Sequence, residues 1–250
     1  MKSSLILALP AFAAALPSVT RLINKREDSW GGAVSLGPTK STIVNAVTTI
    51  IPGTPPSSQN GELFLWPGMS NGTGDLVQTT LEQWSDGNEW CGADSSQWCI
   101  RASLFGSFGQ KDAKASAVDG DVKVRIEYNL MDDGTTWEQI VTNADTGDNL
   151  SYFSYDSGPY MTGYGTGTEC DDSCTGTASE QQYLNTTITL ASADTTFGDT
   201  LTSSGSATKT DIISSQGGKV WTIEKITIPA MSDWSLVNHS EILEALDALM

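Results

Sequence analysis

Between Val122 and Tyr128, apolar and charged residues alternate: Val122, Val124, Ile126 and Tyr128 against Lys123, Arg125 and Glu127. Successive side chains of a strand point to opposite faces, so a period of two marks a strand with one face buried. Similar signals recur at 31–36, 42–50, 62–66, 76–84, 98–105, 135–142, 149–155, 183–191, 196–203, 208–214 and 219–228. Turn sequences separate them, among them Pro52-Gly53, Asp132-Asp133-Gly134, Asp145-Thr146-Gly147 and Gly217-Gly218. About a dozen short strands with almost no helical periodicity predict an all-β fold, a β-sandwich. No internal repeat or long linker divides it, so residues 27–250 read as a single domain. The stretches 54–61 and 158–177 read as loops. The run Gly163-Tyr-Gly-Thr-Gly-Thr168 has the glycine density of a phosphate loop, but no Lys follows and no helix begins there, so it reads as a flexible loop. The only helix expected is a short C-terminal one over 241–249, capped by Ser240, with Ile242, Leu243, Leu246 and Leu249 on one side.

The N-terminus points to export. Met1-Lys2, an apolar run from Leu5 to Ala15 and the small residues Ala13-Ala14-Ala15 make a signal peptide of residues 1–15, too short to span a bilayer. The dibasic pair Lys25-Arg26, of the kexin-processing type, closes a pro-segment of residues 16–26. A mature chain starting near Glu27 keeps nine of the 13 Lys and Arg against all 30 Asp and Glu, a net charge of −21. Glycosylation sequons stand at Asn71, Asn149, Asn185 and Asn238. Four cysteines fit two disulfides in an oxidising compartment, and the short polar loops favour Cys91 with Cys99 and Cys170 with Cys174. The expected product is a secreted, extracellular glycoprotein with no membrane span.

So acidic a chain repels phosphate backbones, which argues against nucleic acid as a partner. One histidine, His239, cannot build a multi-His metal site. The Asp pairs at 132–133 and 171–172 lack the spacing of a calcium loop, so no metal and no cofactor are expected. Gly68-Met-Ser70-Asn-Gly72 matches a nucleophile-elbow spacing, but turn residues follow the Ser where a helix is needed, and it reads as a loop. The most informative segment is 75–84. One face carries Leu76, Gln78, Thr80, Glu82 and Trp84; the other carries Val77, Thr79, Leu81 and Gln83. An amide, a carboxylate and an aromatic on one face are the make-up of a binding groove on a sheet. Gln78 and Glu82 stand about 13 Å apart along the strand, so a partner for either must come from a neighbouring strand.

Several short pieces of this chain resemble the fungal glutamic peptidases, the eqolisins. Trp66-Pro-Gly-Met-Ser-Asn71 followed by Leu76-Val-Gln78-Thr is similar to their Trp-Val-Gly-Ile-x-Gly and the Leu-Gln-Thr-Gly around the catalytic Gln. Ser29-Trp30-Gly-Gly-Ala-Val resembles their Asn-Trp-Ala-Gly-Ala-Val. Gly120-Asp121-Val-Lys-Val124, Trp137 and Asn143-Ala-Asp-Thr146-Gly147 resemble a further pair of their strands. The chain also resembles secreted concanavalin A-like lectin/glucanase domains. The resemblance implies a concanavalin A-like sandwich of two antiparallel sheets. It implies a catalytic pair of Gln78 and Glu180, the latter in Ala178-Ser179-Glu180, in which the Glu works as general base and acid and the Gln amide holds the oxyanion.

Two functional readings follow. In one the protein is an acid hydrolase using Gln78 and Glu180, with Trp66 and Glu82 lining the cleft, a peptidase or a polysaccharide-active enzyme. In the other it is a non-catalytic, lectin-like sandwich that stacks sugars on Trp66, Trp84 or Trp137 and hydrogen-bonds them through Gln78, Glu82 and Asn143. The ligand is a polypeptide or a carbohydrate, and the protein is expected to be a monomer. A third reading is an acidic secreted protein with neither activity.

Overall fold

A computed structural model describes residues 29–158, 160–232 and 234 of the chain. The signal peptide, the pro-segment with Lys25-Arg26, the tail helix at 241–249, Asn238 and His239 lie outside those residues. In chain order the strands are β1 (Ser29–Trp30), β2 (Ala33–Leu36), β3 (Ile43–Ile51), β4 (Glu62–Ser70), β5 (Leu76–Trp84) and β6 (Gln97–Gly106). There follow β7 (Gly109–Asp112), β8 (Ser116–Asp119), β9 (Val124–Leu130), β10 (Thr136–Asn143), β11 (Asn149–Asp156) and β12 (Gly163–Asp171). The last are β13 (Gln181–Leu190), β14 (Thr202–Ser204), β15 (Thr208–Lys209), β16 (Ile212–Ser215) and β17 (Val220–Ile228). No helix among the described residues is long and apolar enough to cross a membrane.

The strands form two sheets, and every pairing between them is antiparallel. The first runs β14-β2-β12-β4-β5-β6-β7, with β1 on β12 and β8 on β6; the second runs β11-β10-β9-β3-β13-β17-β15, with β16 on β17. The inward phase of each alternating strand fills the space between them. Leu63, Leu65, Val77, Leu81, Trp98 and Ile100 from the first sheet meet Ile50, Val124, Ile126, Tyr128, Trp137 and Tyr183 from the second. Polar groups caught in this layer bond across it. Tyr128 Oη donates to the Pro67 carbonyl at 2.8 Å, Gln139 Nε2 to the Ser103 carbonyl at 2.8 Å, and Gln181 Nε2 to Thr168 Oγ1 at 2.9 Å. Burial pushes the Tyr128 and Tyr183 hydroxyls well above their ordinary pKa, so both phenols stay neutral.

The largest departure from the sequence reading is β12. The glycine run at 163–168 is not a loop but a strand in the middle of the first sheet, between β2 and β4. Its alternation is real: Tyr164, Thr166, Thr168 and Cys170 are the buried inward phase. The outward phase begins with Gly163, Gly165 and Gly167, so one half of the period-two signal has no side chains to show it. Both expected disulfides, Cys91–Cys99 and Cys170–Cys174, are present. The short strands β7 and β8 fall where no strand was expected and pair only with β6; β7 is mostly exposed and polar, whereas β8 buries Val118 in the main core.

Asp194 ties the crossover from β2 to β3 to the turn after β13. Its carboxylate accepts the Lys40 N–H at 2.8 Å, the Thr39 hydroxyl at 3.0 Å, and the N–H and hydroxyl of Thr196 at 3.0 and 2.7 Å. Burial opposes its charge, but the bonds from Lys40, Thr196 and Thr39 outweigh that and hold the carboxyl well below the usual Asp range. A folded-state pKa below the unfolded value stabilises the fold above about pH 4, and that share is lost as pH falls through the folded value. Asp194→Asn is therefore expected to cost about 2 kcal/mol at neutral pH. It should also flatten the loss of stability below about pH 4, measured by urea unfolding across a pH series.

Candidate functional site

The outer face of the first sheet brings together most of the residues singled out on β5. Val77 and Leu81 point into the core, as the alternation predicts, and Leu76, Gln78, Thr80, Glu82 and Trp84 form the outward row. Register sets their neighbours. Gln78 lies opposite Gly68 on β4 and Ser103 on β6, and Gly68 lies opposite Gly165 on β12. Gln78 thus looks across two glycine positions on its β12 side. Gly163 and Gly167 continue this side-chain-free row along β12, the latter covered by the Trp66 indole, and Glu169 ends it. Gln78 is only 7% exposed, yet its amide makes no hydrogen bond with a described residue. The amide is not one of the sealed-in polar groups left without a partner; it keeps its bonds for solvent or for a ligand lying on this face.

Trp66 forms the wall beside this floor. Its indole lies over Gly167, where a methyl group would come within 2.4 Å of the ring, and its Nε1 donates to Glu169 Oε2 at 3.0 Å. Trp30, which β1 pairs opposite Glu169, meets Trp66 edge-on with ring centroids 6.4 Å apart. Phe64 and Leu76 complete an apolar cluster on this face, separate from the main core.

The other end of the row is closed. Glu82 is fully buried and is held by Arg101 through two bonds, Nε to Oε1 at 2.7 Å and Nη2 to Oε2 at 3.0 Å. Thr80 Oγ1 donates to Oε1 at 2.5 Å and Trp84 Nε1 to Oε2 at 2.9 Å. Arg101 also pairs with Asp112 at 2.9 Å. The Cys91–Cys99 bridge holds the segment 85–96 against β6; its Trp90 packs at a tilt against Trp84, centroids 5.2 Å apart, and lies under the Arg101 guanidinium at 4.9 Å. Every lone pair of Glu82 that faces a neighbour is thus committed, and the carboxylate serves as an anchor for this end of the sheet.

The remaining expected site residues lie elsewhere. Glu180 is exposed, directly before β13 of the second sheet, and accepts the Gln182 side-chain amide at 2.9 Å. The fold does not bring it together with Gln78, which sits in mid-strand on the outer face of the first sheet. Trp137 is a core residue, not a groove residue: it points inward from β10 and is 1% exposed. Asn143 closes the β10–β11 turn by accepting the N–H groups of Asp145 and Thr146. Ser70, read as part of a loop, ends β4 and caps the next turn by accepting the Gly72 N–H. Sequence reasoning passed over Arg101, although it is the one charge in a strand whose inward phase is Trp98, Ile100, Ala102 and Leu104. It also passed over Trp30 and Glu169 as neighbours of Trp66, because no local pattern links them.

Two solved structures share this architecture over most of the chain. Scytalido-glutamic peptidase with a transition state analog inhibitor superposes with a TM-score of 0.52 at 12% sequence identity, covering 80% of this chain and 98% of that one. SCP-B, a member of the eqolisin family of peptidases in complex with the tripeptide Ala-Ile-His, gives a TM-score of 0.50 at 12% identity, covering 82% of this chain and all of that one. The fold is that of the glutamic peptidases. No family model and no curated protein matches the sequence. The glutamic-peptidase likeness is one of backbone architecture, and chemistry has to be argued from this chain's own side chains. Gln78 lies on β5, on the outer face of the first sheet. Among the described residues no group of three or more His, Cys, Asp or Glu is arranged to hold a metal ion.

Proposed function

We propose that the protein binds an extended polypeptide along the outer face of the first sheet, with the Gln78 amide donating to a backbone carbonyl of the bound chain. The observation that carries this is the recessed, unpartnered amide of Gln78, set on a glycine floor beside Trp66. The glycines opposite Gln78 put no side chain of their own between it and a bound main chain, and the cluster of Trp30, Phe64, Trp66 and Leu76 suits an apolar side chain. The solved structures of the same fold hold a tripeptide and a transition state analog. The leader-like N-terminus, the dibasic pair and the two disulfides support an exported, extracellular protein.

Hydrolysis is the second reading, favoured by the same amide. A preorganised donor is what acyl transfer needs at its oxyanion. It also needs a carboxylate within one water's reach, and Glu180 stands on the other sheet. Binding without turnover is therefore the reading these side chains support best. The test is titration of the exported protein with denatured polypeptides at acidic and neutral pH, followed by tryptophan fluorescence, with mass spectrometry of the same mixtures for cleavage. Gln78→Ala is expected to weaken binding about tenfold, the worth of one good hydrogen bond in a recessed site. Cleavage products that vanish about a hundredfold in Gln78→Ala would establish the hydrolase instead. Binding confined to immobilised glycans, or unchanged by Gln78→Ala, would overturn the polypeptide reading.

A further inference from the structure

The sequons are not equivalent once folded. Asn71 sits in the β4–β5 turn with both ends of its amide engaged: Nδ2 donates one bond to Asp75 Oδ2 at 3.0 Å, and Oδ1 accepts the N–H and hydroxyl of Thr73 at 2.9 and 2.8 Å. Asn185 is the opposite case. It lies in β13, where the register against β3 slips between Leu184 and Thr187, and Asn185 is at the resulting bulge with φ of 52°. The flanking Tyr183, Thr186 and Ile188 are buried inward, whereas Asn185 is exposed on the outer face of the second sheet. Its side chain makes no hydrogen bond with a described residue. The bulge is what turns an asparagine outward in mid-strand, and asparagine is among the few residues that tolerate this backbone conformation.

We propose that Asn185 carries an N-linked glycan. The motif is complete, with Thr187 two residues on. Neither the amide nitrogen nor the side-chain oxygen is needed by the fold, so a sugar chain there displaces nothing. Asn149, which opens the edge strand β11 of the same sheet, is likewise exposed, with no side-chain bond to a described residue. The second sheet is thereby the glycan-bearing side, and the outer face of the first sheet is left to the ligand. In the modification the Asn185 amide nitrogen attacks the anomeric carbon of a lipid pyrophosphate-linked oligosaccharide. A C–N bond forms, and the C–O bond to pyrophosphate breaks with its electron pair leaving on the pyrophosphate. One amide proton passes to the transferase.

The test uses the full chain with its own leader, secreted from a eukaryotic host. Peptide N-glycosidase in heavy-oxygen water converts each occupied asparagine to a labelled aspartate, read by peptide mass. Asn185 is expected to be labelled. Thr187→Ala, which keeps Asn185 and its backbone but destroys the motif, should lose one glycan from the intact mass. Asn185→Gly, which keeps the left-handed backbone, should lose the same unit. An unlabelled Asn185, or an intact glycan mass unchanged in both variants, overturns the proposal. A chain that is made but not glycosylated at all overturns it too. None of these readouts depends on what the first sheet binds.

Discussion

Arg101→Met is expected to lower the stability of the fold by about 3–5 kcal/mol, because it leaves the Glu82 carboxylate buried without its counter-charge. Glu82 is wholly buried and Arg101 only 14% exposed, so water cannot take the place of the guanidinium. Screening by salt should change the result little, which separates this pair from an ordinary surface bridge. The single change Glu82→Gln should cost less than Arg101→Met, since Gln can still accept from Thr80 or Trp84 and Arg101 retains Asp112. The double variant Glu82→Gln/Arg101→Met should recover a large part of the loss, since the cost lies in the unpaired charge and not in the missing bond itself. Urea unfolding of the three variants and the parent forms a double-mutant cycle that measures this. Equal costs for the single and double variants would show that the carboxylate is solvated after all.

Trp137→Ala is the second large effect expected, about 3–5 kcal/mol, as for other large aromatic truncations in a packed core. Trp137→Phe should cost much less. The indole N–H of Trp137 is buried with no hydrogen-bond partner, so Phe removes an unsatisfied donor while keeping most of the apolar contact. If Trp137 lined a binding groove instead, Trp137→Ala would spare stability and weaken ligand binding. Thermal unfolding and polypeptide binding, both measured on Trp137→Phe and Trp137→Ala, separate the two roles.

These two residues also show where sequence could and could not be read. The β5 row was legible in full, since both of its phases carry side chains and the apolar phase declares which side is the core. Trp137 was legible as strand but not as core, because a tryptophan serves equally well in a groove and between sheets. Glu82 read as a groove acid because carboxylates are rarely buried; its partner lies 19 residues on, across a hairpin whose register the sequence does not state. Glu180 follows only from the likeness of Ala178-Ser179-Glu180 to a family motif, and a short motif says nothing about which of two sheets a strand joins. The disulfides were legible because both close short local loops. β12 was not, because three successive outward positions are glycine and a half-silent alternation looks like a flexible linker.

That silent half of β12 has a consequence for what can lie beside Gln78. Gly165, Gly68 and Gln78 stand in one row across three adjacent strands. The row spans about 10 Å between the outer strands. Over the two glycine positions the sheet contributes only peptide groups, so Gln78 supplies the one functional side chain of these three.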